Sequence, residues 1–244
     1  MSTDDLKRRA AYEAVTYVRS GMVLGLGHGT TAAHAVERVA QLLAEGKLAD
    51  ITAVPCSEVV DEHARRLGID VSSLNEHPRV DLTIDGADEV DPQLRLIKGG
   101  GGALLREKMV AEASLREIII VDSSKLSPTL GANWPVPVEV VRFGWRTHVA
   151  YLERLGAHTV CRREVGGAPH CTDQGNYLLD AAFGPIHDPE KLAGALEART
   201  GVVAHGLFLG LATDLIVAST TGLRHITAAR ERTSHARGGR TGDG

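Results

Sequence analysis

Residues 80–108 read VDLTIDGADEVDPQLRLIKGGGGALLREK, from Val80 to Lys108. The apolar run Val80–Ile84 ends in the acidic turn of Asp85 and Asp88. A second, Leu94–Ile97, ends in Lys98 and four glycines, and a helix is expected over roughly Ala103–Ala113. A third run, Ile118–Val121, follows that helix. Short apolar runs alternating with helices predict a mostly parallel sheet covered on both faces. In such sheets ligands bind beyond the carboxyl ends of the strands, so the loops following the runs should meet at one edge.

Upstream, a helix is expected over 4–19, with Leu6, Ala10, Ala14 and Val18 close to one face and Asp4 and Asp5 at its N-terminal end. Met22–Leu26 reads as a strand stopping at Gly27-His28-Gly29, after which Thr30 or Thr31 is expected to cap a second helix. Ile51–Val54 is another strand, and Ser57 caps a helix reaching about Leu67.

The pattern changes near Pro128. The stretch SPTLGANWPVPVEV carries three prolines and suits a connection or an edge strand. Val138–Val141, a helix around Trp145–Leu155, Thr159–Arg162, Tyr177–Asp180 and a helix over about Asp188–Ala198 suggest a small α+β unit. Gly206–Ser219 returns to strand character and is expected to rejoin the first unit. The final stretch, ERTSHARGGRTGDG, has Ala236 as its one apolar side chain and is expected to be disordered.

The chain has 244 residues, 43% hydrophobic and 24% charged, which is ordinary globular composition with room for one large or two modest cores. A net charge of −4 favours neither nucleic acid nor an anionic membrane as partner. Cys56, Cys161 and Cys171 form no CxxC pair and no zinc-like spacing. No leader-like apolar segment opens the chain and no run reaches membrane-spanning length, so a reduced cytoplasmic setting is expected.

Three loops carry chemistry. In Gly25–Thr31, GLGHGTT, glycines let the backbone approach a ligand and amides at the helix start attract an anion. The third glycine comes one residue too early for a dinucleotide fingerprint, and the hydroxyls of Thr30 and Thr31 suit a phosphate monoester; a tight turn that binds nothing is the alternative. Asp85 and Asp88 flank Gly86-Ala87, small enough not to screen them, and can accept from sugar hydroxyls or shuttle their protons. Glu89 and Asp91 read as solvated turn residues. In Lys98–Lys108, consecutive glycines cost conformational entropy but expose backbone N–H groups, and Lys98 adds a cation, which together can stabilise a developing enolate. Glu107, about one turn into the next helix, can act as base for a proton alpha to a carbonyl; the alternative is that Arg106, Glu107 and Lys108 form an exposed charged face. Lys125, in Asp122-Ser123-Ser124-Lys125, could hold phosphate or a hydroxyl. Lys7 reads more naturally as a surface lysine. No metal-binding cluster of histidines is found.

In this order, GLGHGTTA, DGADEVD, KGGGGALLREK, and DSSK followed by WPVPVEV resemble ribose-5-phosphate isomerase of the A type, from about Leu6 to Ile226. The resemblance implies a Rossmann-like, mostly parallel sheet domain (1–130 plus 206–229) with a smaller α+β domain (131–205) inserted late, leaving 230–244 as a tail. It implies interconversion of ribose 5-phosphate and ribulose 5-phosphate through a cis-enediol, without metal or organic cofactor, in a homodimer or homotetramer. Glu107 corresponds to the general base. Asp85, Gly86, Ala87, Asp88, Lys98, Gly99, Gly100, Gly101 and Lys125 correspond to sugar-contacting positions. His28, Gly29, Thr30 and Thr31 correspond to the loop near the phosphate, which Lys7 also approaches. The family loop usually reads GTGST; Thr30 retains a hydroxyl, whereas His28 loses one and adds bulk and a possible charge that could contact phosphate. The rival readings are an enzyme of related fold acting on another sugar phosphate, such as an amino-sugar-phosphate deaminase or a lactonase, and a non-catalytic sugar-phosphate sensor.

Overall fold

The computed structural model describes residues 1–164 and 166–228. The expected disordered tail, 230–244, lies outside the described residues. In chain order the elements are α1 (Thr3–Val15), β1 (Val23–Leu26), α2 (Thr30–Ala44), β2 (Thr52–Pro55), α3 (Glu58–Arg66), β3 (Asp70–Val71), β4 (Leu82–Asp85), β5 (Glu89–Val90), β6 (Leu96–Ile97), α4 (Leu104–Ala113) and β7 (Glu117–Asp122). There follow β8 (Val136–Val140), α5 (Arg146–Arg154), β9 (His158–Cys161), β10 (Tyr177–Ala182), α6 (Pro189–Glu197), β11 (Val202–His205), β12 (Leu207–Phe208), β13 (Asp214–Ser219) and β14 (Gly222–Thr227).

The fold is α/β. The main sheet has the order β14-β13-β7-β4-β1-β2-β3 and is parallel except for β14, which pairs antiparallel with β13. Its interior strand β7, between β13 and β4, is buried along its whole length. Ile118 and Ile120 face the core built with Ala10, Ala14 and Val36, while Ile119 and Val121 join Ala111 and Phe208 on the other side. A strand covered on both faces has no polar side to present, hence the unbroken apolar run at 118–121. Strand order reverses at β1, which lies between β2 and β4, so the loops after β1 and β4 open into one crevice.

A four-stranded antiparallel sheet, β11-β8-β10-β9, and a three-stranded one, β12-β6-β5, complete the architecture. This corrects two expectations. The run before Lys98 is not a strand of the main parallel sheet: β6 is two residues long and pairs antiparallel with β5 and β12. The proline-rich stretch is a connection over 127–135, as expected, but its last part is not an edge strand, because β8 lies between β10 and β11. Pro137 is tolerated there because it lies past the last β11 rung, Val138 to His205. Its carbonyl accepts from Gly206 N at 2.7 Å, and the Gly206 carbonyl turns instead to the N–H of Lys98, at 2.9 Å. Gly206 thus joins the two smaller sheets.

Helix boundaries differ in instructive ways. α1 stops at Val15, four residues early, although Leu6, Ala10, Ala14 and Val18 are all buried as their spacing requires; Ser2 and Asp5 form a capping box at its start. The cap of α2 is Gly29, with φ 111°, not a threonine. That left-handed angle suits glycine, and it leaves the hydroxyls of Thr30 and Thr31 uncommitted to capping. Ser57 does cap α3, accepting from Val60 N. Among the described residues no helix is long and apolar enough to cross a membrane.

Candidate active site

Every candidate residue converges on one cleft of about 500 Å³, its open mouth included. Its walls comprise Lys7, His28, Gly29, Thr30, Thr31, Gly86, Ala87, Asp88, Lys98, Gly99, Gly100, Gly101, Glu107 and Lys125. Asp85 is the one candidate outside the wall, fully buried beneath it. Main-sheet loops supply the floor. Asp85, the last residue of β4, accepts through Oδ1 from His28 N at 3.1 Å and Gly86 N at 2.7 Å, tying the ends of β1 and β4 together. A Cβ on Gly27 would lie 2.2 Å from Asp85 Oδ1, so the close approach requires glycine there.

Lys98 lies at the centre and is 2% exposed. Its Nζ donates to Gly86 O at 2.6 Å and Glu107 Oε1 at 3.1 Å, and pairs with Asp85 Oδ2 at 3.0 Å. Two of the three ammonium protons are thereby directed at protein acceptors; Asp85 Oδ2 contributes its charge but accepts no hydrogen bond among the described residues. Burial works against the Lys98 charge, but Asp85 and Glu107 outweigh it and hold the pKa above the ordinary lysine value. Burial pushes the Glu107 carboxyl up to about 8, with Lys98 pulling down and Asp85 pushing up. Glu107 Oε2 is buried and has no hydrogen-bond partner among the described residues. A carboxylate with one oxygen anchored and the other free in a cleft is arranged to exchange a proton with a bound molecule.

The exposed charged face considered for residues 106–108 does not form. Glu107 is buried, and Lys108 turns inward to donate to His205 O at 2.7 Å and Leu207 O at 2.9 Å. Glu89 and Asp91 are not solvated turn residues either, at 1% and 2% exposure. Glu89 accepts from the backbone of Gly131 and Asn133, and Asp91 pairs with Arg95 and its own turn, so both carboxylates organise loops that would otherwise leave buried amides unpaired.

At the other end of the cleft, Lys7 reaches from α1 to donate to Thr30 Oγ1 at 2.9 Å, so it is a cleft residue rather than a detached surface lysine. Lys125 Nζ stands 4.9 Å from the centre of the Trp134 ring, a cation–π contact that holds it at the rim. His28 Nδ1 is 2.8 Å from Ser57 Oγ. Ser57 Oγ also accepts from Val60 N, so one hydroxyl serves both the cap of α3 and the His28 ring. Burial holds the His28 pKa below its ordinary value, against the pull of Asp85, which disfavours the cation. The ring lies over Gly101, where a Cβ would come within 2.4 Å of Cδ2.

Two side chains behind the cleft lie outside the sequence motifs, Arg162 and Asp180, which pair with each other. Ser57 was legible as a helix cap but not as the partner of His28. No local signal marks Arg162, whose cleft contacts are more than 60 residues away along the chain. Among the described residues no group of three or more His, Cys, Asp or Glu side chains is placed to hold a metal ion.

The model of the family ribose 5-phosphate isomerase A (phosphoriboisomerase A) matches residues 52–222. The ribose-5-phosphate isomerase A of Chloroflexus aurantiacus is 57% identical over 228 residues, covering 93% of this chain and 95% of the relative. Among solved structures, the ribose 5-phosphate isomerase of Plasmodium falciparum superposes with a TM-score of 0.90 at 39% identity, covering 93% of this chain and all of the other. A D-ribose-5-phosphate isomerase in complex with phospho-erythronic acid superposes with a TM-score of 0.91 at 35% identity, over the same shares. Sequence similarity across nine-tenths of the chain, a matching fold and a cleft that gathers the shared motifs lead to one conclusion: the chain belongs to the ribose 5-phosphate isomerase A family.

Proposed function

We propose that this protein is a ribose-5-phosphate isomerase that interconverts ribose 5-phosphate and ribulose 5-phosphate through a cis-enediol, with Glu107 as general base. The observation that carries the reading is the division of the Glu107 carboxylate: Lys98 anchors Oε1, while Oε2 is buried without a partner at the cleft. In the open-chain aldose, Oε2 removes the proton from C2. The C–H electron pair becomes the C1=C2 bond, and negative charge moves onto O1. Returning the proton to C1, with transfer of the O2 proton to O1, completes the ketose.

Lys98 acts in this scheme as a fixed buried charge, held by hydrogen bonds to Gly86 and Glu107 and by its ion pair with Asp85. Hydrogen bonds to the developing oxyanion come from glycine-loop amides, which need no reorganisation. Asp88, at the cleft wall, serves ring opening and hydroxyl proton transfer, and Asp85 supports Lys98 from beneath. The phosphate lies toward Lys7, Thr30, Thr31 and the N-terminus of α2, where a cation, hydroxyls and free amides coincide. One structural relative is in complex with phospho-erythronic acid, a phosphorylated acid, which supports a phosphorylated ligand for this cleft. A cytoplasmic setting and a homodimer or homotetramer belong to the same proposal, the former in keeping with three unpaired cysteines.

Proton NMR of ribose 5-phosphate in deuterated water with added protein tests the reading. Formation of the ketose with deuterium entering the exchanging carbon is the expected result. Absence of both, or turnover of an amino-sugar phosphate or a lactone in their place, would overturn it.

A further inference from the structure

The glycine loop after β6 is held from behind by an arginine of the four-stranded sheet. Arg162 Nη1 donates to Gly99 O at 2.8 Å and to Gly100 O at 3.1 Å. The other edge of the same guanidinium, Nε and Nη2, grips both carboxylate oxygens of Asp180 on β10. In a trans peptide the carbonyl and the following N–H point opposite ways, and none of the described peptide bonds is cis. Fixing the carbonyls of Gly99 and Gly100 therefore fixes the directions of the Gly100 and Gly101 N–H groups. Gly100 N donates to Asp88 Oδ2 at 2.7 Å. Gly101 N has no acceptor among the described residues, and Gly101 lines the cleft.

We propose that Arg162 is a positioning residue for the reaction, setting through two peptide units both the orientation of Asp88 and the Gly101 amide that receives the substrate oxyanion. The inference rests on the proposed isomerase reading. A positive charge on the carbonyl side also polarises each unit, making its N–H a stronger donor. Asp180 keeps the guanidinium in plane and balances its charge. A lysine cannot replace it, because one ammonium cannot span two carbonyls and a bidentate carboxylate.

The test uses the full chain with Arg162→Ala, Arg162→Lys and Arg162→Ala/Asp180→Asn, the last so that no carboxylate is stranded. The kcat should fall roughly ten- to a hundredfold in all three, less than the roughly 10²–10³-fold seen on deleting a direct oxyanion donor, while KM for ribose 5-phosphate changes less. Millimolar guanidinium should restore part of kcat in the two alanine variants. Amide exchange at Gly100 should quicken in the variants and slow again with guanidinium. Wild-type kcat in both alanine variants, or a loss with no rescue and with Gly100 protection unchanged, overturns the inference. If the wild-type protein does not isomerise ribose 5-phosphate, the isomerase reading fails; Gly100 exchange, as fast in wild type as in the variants, would then overturn the role of Arg162 as well.

Discussion

Lys98 Nζ and Glu107 Oε1 are 3.1 Å apart inside the protein, one at the end of a two-residue strand and the other on the first turns of α4. The pair gives each group what it lacks. Lys98 retains its charge despite burial, and Glu107 is held with its second oxygen free.

Replacing Glu107 by Gln preserves shape and the Lys98 contact but removes the proposed base. Turnover should fall by roughly 10²–10⁴-fold, the usual worth of general acid–base catalysis, with little change in affinity for phospho-erythronic acid. Steady-state kinetics and calorimetric titration check this; activity near that of the wild type would remove Glu107 from the role. In the wild-type protein, kcat/KM should rise with pH through a limb near the raised Glu107 pKa of about 8, because the base must be ionised.

The same shift has a consequence for stability. Folding lifts the Glu107 pKa from 4.5 to about 8, so the folded state binds the proton more tightly than the unfolded chain does. The Glu107 contribution is therefore most favourable below the unfolded value and is lost as pH rises toward the folded one. Glu107→Gln does not titrate, so its melting temperature relative to wild type should climb between about pH 4.5 and pH 8. Thermal melts across that range test it, and a constant difference would contradict the assignment.

His28 and Gly101 should behave as one unit. A Cβ on Gly101 would sit 2.4 Å from the imidazole, so Gly101→Ala must push the ring aside and raise KM. In a His28→Ala background the obstacle is gone and the second substitution should cost little. The coupling expected for side chains in contact is about 0.5–3 kcal/mol. A double-mutant cycle on KM measures it, and additive effects would disprove the dependence.

Gly206 should be as sensitive as the cleft itself. A Cβ there would lie 2.3 Å from Lys98 O and 2.6 Å from Pro137 Cδ. Gly206→Ala should destabilise the fold by about 1–3 kcal/mol, as overpacking does, and lower kcat by displacing Lys98. Urea denaturation alongside kinetics would register both; unchanged values for each would show that the sheet junction yields easily.

The sequence by itself determined the alternation of strands and helices, the three loops that line the cleft and the residues they carry. Those features are local: apolar runs, glycines after strands, and caps such as Ser57 announce themselves within a few positions. It also carried the buried face of α1, because Leu6, Ala10, Ala14 and Val18 keep their spacing even where the helix ends early. Tertiary structure alone decided what those residues do to one another. Glu89 and Asp91 look like solvated turn residues until distant amides take up their oxygens. His28 reads as a possible cation until burial in the fold lowers its pKa. Lys98 owes its charge to two carboxylates, and its backbone placement to a carbonyl that Pro137 cannot bond, more than 100 residues away at Gly206. Arg162 carries no motif at all. Desolvation, ion pairing and hydrogen-bond partners depend on which groups meet in space, and residue spacing along a chain does not encode that by itself.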